Sequence, residues 1–187
     1  MHIDQSNNMD TFSLLILVLL ILNGSCYRML ASILATEFGD RDIKPYYYGY
    51  MLCAYPSAAM LTWFSVPYVA SKVGRSKVLY TGVLLLSISM SLSGLMKFIT
   101  NNEMMVMYEI LTRAMQGMFK TFIQTSSFAM LIITNPQEKM KYIGLAECNI
   151  GLGSAIGSLI GAIVYSFFGF IWMFIVVGCM FLSVYHS

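Results

Sequence analysis

Residues 144–161, GLAECNIGLGSAIGSLIG, lie within an apolar run that is long enough to cross a lipid bilayer. Within this run Gly153, Gly157 and Gly161 recur every four residues, so a helix places all three on one face. A face without side chains lets a second helix approach closely, and helices within lipid associate through such packing rather than through escape from water. The spacing predicts a membrane helix that packs through its glycines against a neighbouring helix.

The same predicted helix carries a carboxylate, Glu147. This residue shares a second helical face with Gly151, Ser154 and Ser158. An ionisable group inside a membrane span is costly, and for that reason it marks a candidate functional site. We interpret Glu147 as a candidate proton carrier. The alternative is an acid that lies near the helix end and is wetted at the interface.

Composition excludes a soluble fold. Only 11% of the 187 residues are charged and 58% are hydrophobic, whereas soluble domains are about 25% charged. We therefore predict an all-α, polytopic membrane protein. The net charge of +2 gives no indication of nucleic-acid binding. The four cysteines lack metal-ligand spacing, the two histidines lie at positions 2 and 186, and no cofactor, metal site or enzymatic activity is predicted.

Six segments meet the length and apolarity that a membrane span requires, after a polar cytoplasmic tail at residues 1–10. The predicted spans, which form one bundle over residues 11–187, cover residues 11–35, 45–70, 78–97, 104–133, 143–167 and 170–185. Pro56 and Pro67 predict a kink in the second span, and Gly169 predicts a tight turn before the sixth.

The distribution of basic residues predicts the orientation of the bundle. With the N-terminus inside, five basic residues fall in cytoplasmic loops and three in outer loops. The five are Lys72, Arg75, Lys77, Lys139 and Lys141, and the three are Arg41, Lys44 and Lys97. This bias favours cytoplasmic N- and C-termini.

The fourth predicted span carries an unbroken polar face, with polar residues in steps of three or four. Its members are Glu109, Arg113, Gln116, Lys120, Gln124 and Ser127. At 1.5 Å per residue the face is about 27 Å long, nearly the hydrocarbon thickness, so it cannot point at lipid. We interpret it as the lining of a water-filled cavity. The alternative is a buried ionic network that fixes helix register, in which Glu109 and Arg113 pair one turn apart.

Two further polar residues lie in the first predicted span. Asn23 is the candidate there for contact with a substrate. Arg28 lies past the middle of the span, where a long side chain can reach the far interface while its stem stays in lipid. We interpret Arg28 as such an interfacial cation, with a buried functional role as the alternative.

Three motifs follow one another in the order and spacing of a known family. Residues 67–76, PYVASKVGRS, occupy the place of the loop motif G-x-L-A-D-R-x-G-R-K, and residues 113–117, RAMQG, match R-x-x-Q-G. The loop positions that match are Ala70, Lys72, Gly74 and Arg75. The row from Gly153 to Gly161 matches the antiporter motif G-x-x-x-G-P-x-x-G-G in its three spaced glycines. Over residues 11–185 the chain resembles the N-terminal six-helix half of a major facilitator superfamily (MFS) transporter.

The chain departs from two of these motifs. Pro67 replaces the first glycine of the loop motif, and Ser71 replaces the acid that helps to latch the two halves of the family's transporters on the cytoplasmic side. Ser158 and Ala162 replace the proline and the last glycine of the antiporter motif.

The resemblance implies secondary active transport of a small solute by alternating access. Since no nucleotide-binding signature is present, an ion gradient would drive it, and proton-coupled antiport with Glu147 as the carrier is the expectation. A channel is the alternative class of transport protein. Residues expected along the substrate and ion pathway are Glu109, Arg113, Gln116, Lys120, Glu147 and Asn23, and those expected in gating are Lys72, Gly74 and Arg75.

The runs at 144–147 and 151–153, with Gly169 and Phe174, are similar to the branch of vesicular amine and polyamine transporters, which are proton-coupled exporters that load vesicles. The expected location is a vesicle membrane or the plasma membrane. Carriers of amines in that branch place an acid in the first span, where this chain has Asn23.

The substrate site of the family lies between two six-helix halves. One half leaves three interpretations open. The chain is a fragment of a transporter of about twelve spans, with its second half in cis, a short product that pairs in trans with a copy of itself or with another half, or a non-transporting membrane interaction subunit or remnant with the half-MFS fold.

Overall fold

The computed structural model describes the backbone of residues 2–40 and 43–186, and the side chains of residues 12–167 and 169 except for 32, 37 and 40–42. These residues are helical with short connections and contain no β-strand. The elements are α1 (His2–Asp40), α2 (Pro45–Trp63), α3 (Val66–Val73), α4 (Arg75–Gly94), a 3-10 turn (Leu95–Phe98), α5 (Asn102–Thr134) and α6 (Lys139–His186). The prediction of an all-α fold is confirmed. Arg41 and the side chains of the predicted sixth span lie outside the described residues.

Residues 45–73 form two helices, α2 and α3, which Phe64 and Ser65 join within the span that was predicted to be kinked. The chain leaves α2 after Trp63 and enters α3 at Val66, whereas Pro56 lies inside α2 without ending it. Pro67 lies in the first turn of α3, where backbone N–H groups have no partner within the helix and its missing N–H costs little.

Three of the described helical segments are long and apolar enough to cross a membrane, at Phe12–Thr36, Arg75–Phe98 and Lys139–Phe167. Of the six predicted spans, the second and the fourth do not reach this length and apolarity, and the sixth lies outside the described side chains. The charged and other polar residues of α5 lower its hydropathy, and the tyrosines at the start of α2 lower that of α2. The backbone of α6 leaves helical geometry at Gly169, with φ 78° and ψ 179°, where a turn is predicted. This positive φ favours glycine because it has no β-carbon.

The glycine row of α6 packs directly on α1. A β-carbon at Gly153 or Gly157 would collide with the backbone of Ile21 or Ser25, and one at Gly161 would lie 2.7 Å from Cγ of Met29. The contacted residues of α1 advance in steps of four in the same direction as the glycines of α6, so the two helices run parallel. The close approach of backbones is the geometry that small residues permit in membranes.

Helix α5 lies at the centre of the bundle and contacts α1, α2, α4 and α6. A β-carbon at Gly117 would collide with the backbone of Tyr55, so α2 and α5 also approach closely. At one end of the bundle, Nδ2 of Asn135 donates to Oγ of Ser13 at 3.0 Å, which ties the end of α5 to the start of α1. The polar face of α5 is therefore surrounded by other helices.

Candidate functional site

The first part of the polar face of α5 is buried inside the bundle. Glu109, Arg113 and Gln116 expose 1% of their surface or less. Nε of Arg113 lies 3.4 Å from Oε1 of Glu109, and Oγ1 of Thr112 donates to the other carboxylate oxygen at 3.1 Å. Nη1 and Nη2 of Arg113 have no hydrogen-bond partner among the described residues. An ion pair in this position satisfies the charge of the guanidinium but not its fork of donors.

Gln116 joins α5 to α4. Its Nε2 donates to Oγ of Ser93 at 2.8 Å and to the carbonyl of Ser89 at 3.3 Å. This contact fixes the register of the two helices, because both acceptors are buried on α4. For Glu109, Arg113 and Gln116 the structure thus favours the alternative interpretation, a buried polar network, over the lining of a cavity.

Lys120, one turn after Gln116 on the same face, has different surroundings. Its side chain is half-buried, and Nζ lies 5.4 Å from the ring centroid of Tyr55 and 5.8 Å from that of Tyr27. The two rings lie 4.4 Å apart, one from α2 and one from α1. Cations are attracted to the faces of such rings. Lys120 forms no salt bridge with any residue of the described part, but the carboxylate of Glu147 attracts it through space.

Glu147 and Asn23 occupy opposite environments. Glu147 is exposed on α6, and its carboxylate attracts Lys120 on the polar face of α5. Asn23 is 1% exposed on α1, and neither Nδ2 nor Oδ1 has a partner among the described residues. The structure therefore divides the predicted pathway residues into a buried cluster of Glu109, Arg113 and Gln116 on α5, a separate buried Asn23 on α1, and the less buried Lys120 and Glu147.

A cavity of about 510 Å³ opens between α1, α2 and α6. It is lined by Arg28, Ala31, Tyr48, Ser154, Ala155 and Ser158. The sequence places Ser154 and Ser158 on one face but does not connect them with Arg28, which we interpreted as an interfacial cation. The signal that could have indicated this cavity is the combination of a cation past the middle of the first span with two serines on the fifth.

The residues predicted to act in gating lie at the connection between α3 and α4. Gly74 adopts φ 99° and ψ 138°, ends α3 and precedes α4. Nζ of Lys72 lies 4.4 Å from the ring centroid of Tyr68, and Arg75 lines a second cavity, of about 230 Å³, together with Ser71. Oγ of Ser71 donates to the carbonyl of Tyr68 at 2.8 Å, so the hydroxyl is bound to the backbone of its own helix, α3.

Comparison with known sequences covers nearly the whole chain. A sequence model of the Major Facilitator Superfamily matches residues 13–185, from the start of the first predicted span to the end of the sixth. Comparison with curated proteins gives no match.

Proposed function

This chain belongs to the major facilitator superfamily, whose members transport solutes, and from that premise we propose that it is one six-helix half of a proton-coupled antiporter. The six predicted segments cross the membrane with both termini in the cytoplasm. A second half, in cis or in trans, completes a substrate site near the midplane, where such sites lie in secondary transporters. The membrane is that of a vesicle or the cell surface.

The observation that carries this proposal is the polar face of α5 within a bundle of apolar helices. Charged groups inside a membrane face the bundle interior or a wet cavity, and they mark substrate and ion pathways. The buried pair of Glu109 and Arg113 fixes the helix, while Lys120 and Glu147 lie where the bundle is more open. Glu147 carries the proton in this proposal, and its carboxylate attracts Lys120 of the polar face.

The proposal is tested by uptake into proteoliposomes that contain the chain alone or together with a second six-helix half. A panel of radiolabelled amines, carboxylates, sugars and inorganic phosphate serves as the substrates. The expected result is saturable uptake of one class that requires an imposed pH gradient and stops when a protonophore is added. Glu147→Gln is expected to remove the dependence on the gradient. Glu138→Gln, in the exposed pair with Lys141, is the control.

Each of the other possible results favours a different function or a different proton carrier. Uptake that rises linearly with solute concentration indicates a channel. Gradient-driven uptake that Glu147→Gln leaves unchanged assigns the proton to another residue. No uptake of any solute, with or without a second half, favours the non-transporting interaction subunit. Selective uptake of amines favours the vesicular amine and polyamine branch.

A further inference from the structure

A polar cavity lies between α3, α4 and α5, at the connection that holds the predicted gating residues. It has a volume of about 230 Å³, and its lining includes Ser71, Arg75, Thr125 and Ser126. This volume is below the range of sites for drug-sized ligands, about 300–1,000 Å³, but it has room for a single charged group. We propose that this cavity binds the phosphate of an anionic phospholipid, with Arg75 and the hydroxyls of Thr125 and Ser126 as its ligands.

Two hydroxyl groups of α5 at this cavity have no hydrogen-bond partner among the described residues. They are Oγ of Ser126, a residue that is 1% exposed, and Oγ1 of Thr125. The hydroxyl of Thr121, one turn earlier, instead donates to the carbonyl of Gly117 at 2.8 Å. A buried polar group without a partner is costly, so a ligand that accepts hydrogen bonds from these hydroxyls would stabilise this part of the bundle.

Arg75 supplies the positive charge of the cavity. It is the first residue of α4, its side chain is exposed, and it lines the cavity together with the two hydroxyl-bearing residues. A guanidinium binds phosphate through two parallel N–H groups. The start of a helix also favours an anion, because its first N–H groups have no partner within the helix. The residue before Arg75 is Gly74, which provides no side-chain cap.

The helices that form the cavity carry no acid that could neutralise Arg75. The sequence has no Asp or Glu over residues 43–102, which include α3 and α4, and none over residues 110–137, which include the part of α5 at the cavity. Glu138, the next acid along the chain, is paired with Lys141 at 2.9 Å. An anion for this cavity therefore comes from outside these three helices.

The position of the cavity favours a lipid as the source of the phosphate. Exposed aromatic side chains precede it in the chain, at Trp63, Phe64 and Tyr68, and such residues are typical of the interface between lipid and water. Lys72 and Lys77 on either side of Arg75 are also exposed, and basic residues beside a membrane span attract anionic lipids of the cytoplasmic leaflet. The choice of leaflet rests on the proposed orientation, whereas the site does not depend on transport.

The test is native mass spectrometry of the purified chain in detergent micelles, titrated with phosphatidylglycerol or with phosphatidylcholine of the same acyl chains. Both lipids carry a phosphate, but only phosphatidylglycerol has a net negative charge. The first lipid adduct is expected to form at a lower concentration of phosphatidylglycerol, and inorganic phosphate is expected not to displace it. Arg75→Gln is expected to weaken this adduct about tenfold or more, and Ser126→Ala about threefold. Lys139→Gln, which removes an exposed cation at the start of α6, is expected to leave the adduct unchanged.

Arg75→Lys is expected to bind with an affinity between those of the unmodified chain and Arg75→Gln, because it keeps the charge but loses the parallel N–H groups. If Arg75→Gln does not fold, Ser126→Ala decides, since it removes only a hydroxyl. The proposal is overturned by equal binding of the two lipids, by no adduct with either, or by displacement with inorganic phosphate. Undiminished binding by folded Arg75→Gln or Ser126→Ala, or an equal loss in Lys139→Gln, also overturns it. Lipid binding needs neither a second half nor a pH gradient, so a failure of transport leaves these outcomes unaffected.

Discussion

Nε of Arg113 lies 3.4 Å from Oε1 of Glu109, one turn earlier on α5, with both side chains almost fully buried. The pair is enclosed by neighbouring helices, so neither charge can exchange its partner for water. Such a pair contributes little net stability compared with apolar side chains of similar size. Removing one of its two residues is costly, however, because the other charge then stays buried without a partner. The bundle around α5 is therefore sensitive to the loss of either residue.

Glu109→Gln is expected to lower the free energy of unfolding by about 3–5 kcal/mol, because it leaves the guanidinium of Arg113 buried without its counter-charge. Reversible unfolding in mixed micelles, followed by circular dichroism, measures the loss. The double variant Glu109→Gln with Arg113→Gln is expected to be more stable than the sum of the two single variants indicates. Additive losses would contradict a direct coupling between the two charges.

Gly157→Ala is expected to destabilise the seam between α1 and α6 by about 1–3 kcal/mol, because a β-carbon collides with the backbone of Ser25. Gly151→Ala, six residues earlier on the same helix, is the matched control. No atom lies within 4 Å of a β-carbon there, and alanine is the better helix former. Thermal unfolding in detergent compares the two. Equal midpoints would show that the seam accommodates a methyl group.

Gly74→Ala is expected to destabilise the connection between α3 and α4 by about 1–3 kcal/mol. The cause is backbone strain at φ 99° rather than crowding, since nothing lies within 4 Å of a β-carbon at this position. Gly144→Ala, also uncrowded but within a helix, is the control. Limited proteolysis at the loop, together with thermal unfolding, reports the effect. Equal stability and equal proteolysis of the Gly74→Ala and Gly144→Ala variants would contradict backbone strain at Gly74.

The proposed orientation predicts which loops are reached from each side of the membrane. In a background with the four cysteines replaced by alanine, Ser71→Cys and Gln137→Cys are expected to react with an impermeant maleimide only from the cytoplasmic side. Thr100→Cys, at the opposite end of α4, is expected to react only from the outer side. All three positions are exposed. Labelling of Ser71→Cys and Thr100→Cys from the same side would contradict a crossing by α4.

The periodicity of the sequence predicts much of this structure, because a membrane helix satisfies its own backbone hydrogen bonds. The position of each helix along the chain, and the side chains that share a face of it, then follow from local spacing. The pairing of Glu109 with Arg113 is of this local kind. The kink in the second span was predicted but its position after Trp63 was not, because the two prolines indicate a weakened helix without indicating which turn is interrupted.

The sequence by itself determined the all-α class, the single polar face of α5 and the glycine row that needs a close neighbour. Only the tertiary structure decided that the neighbour of this row is α1, that Gln116 reaches Ser93, and that Lys120 lies against Tyr27 and Tyr55. The physical reason is that spacing along a helix specifies which residues share a face. The partner of that face depends on how helices distant in the chain pack together.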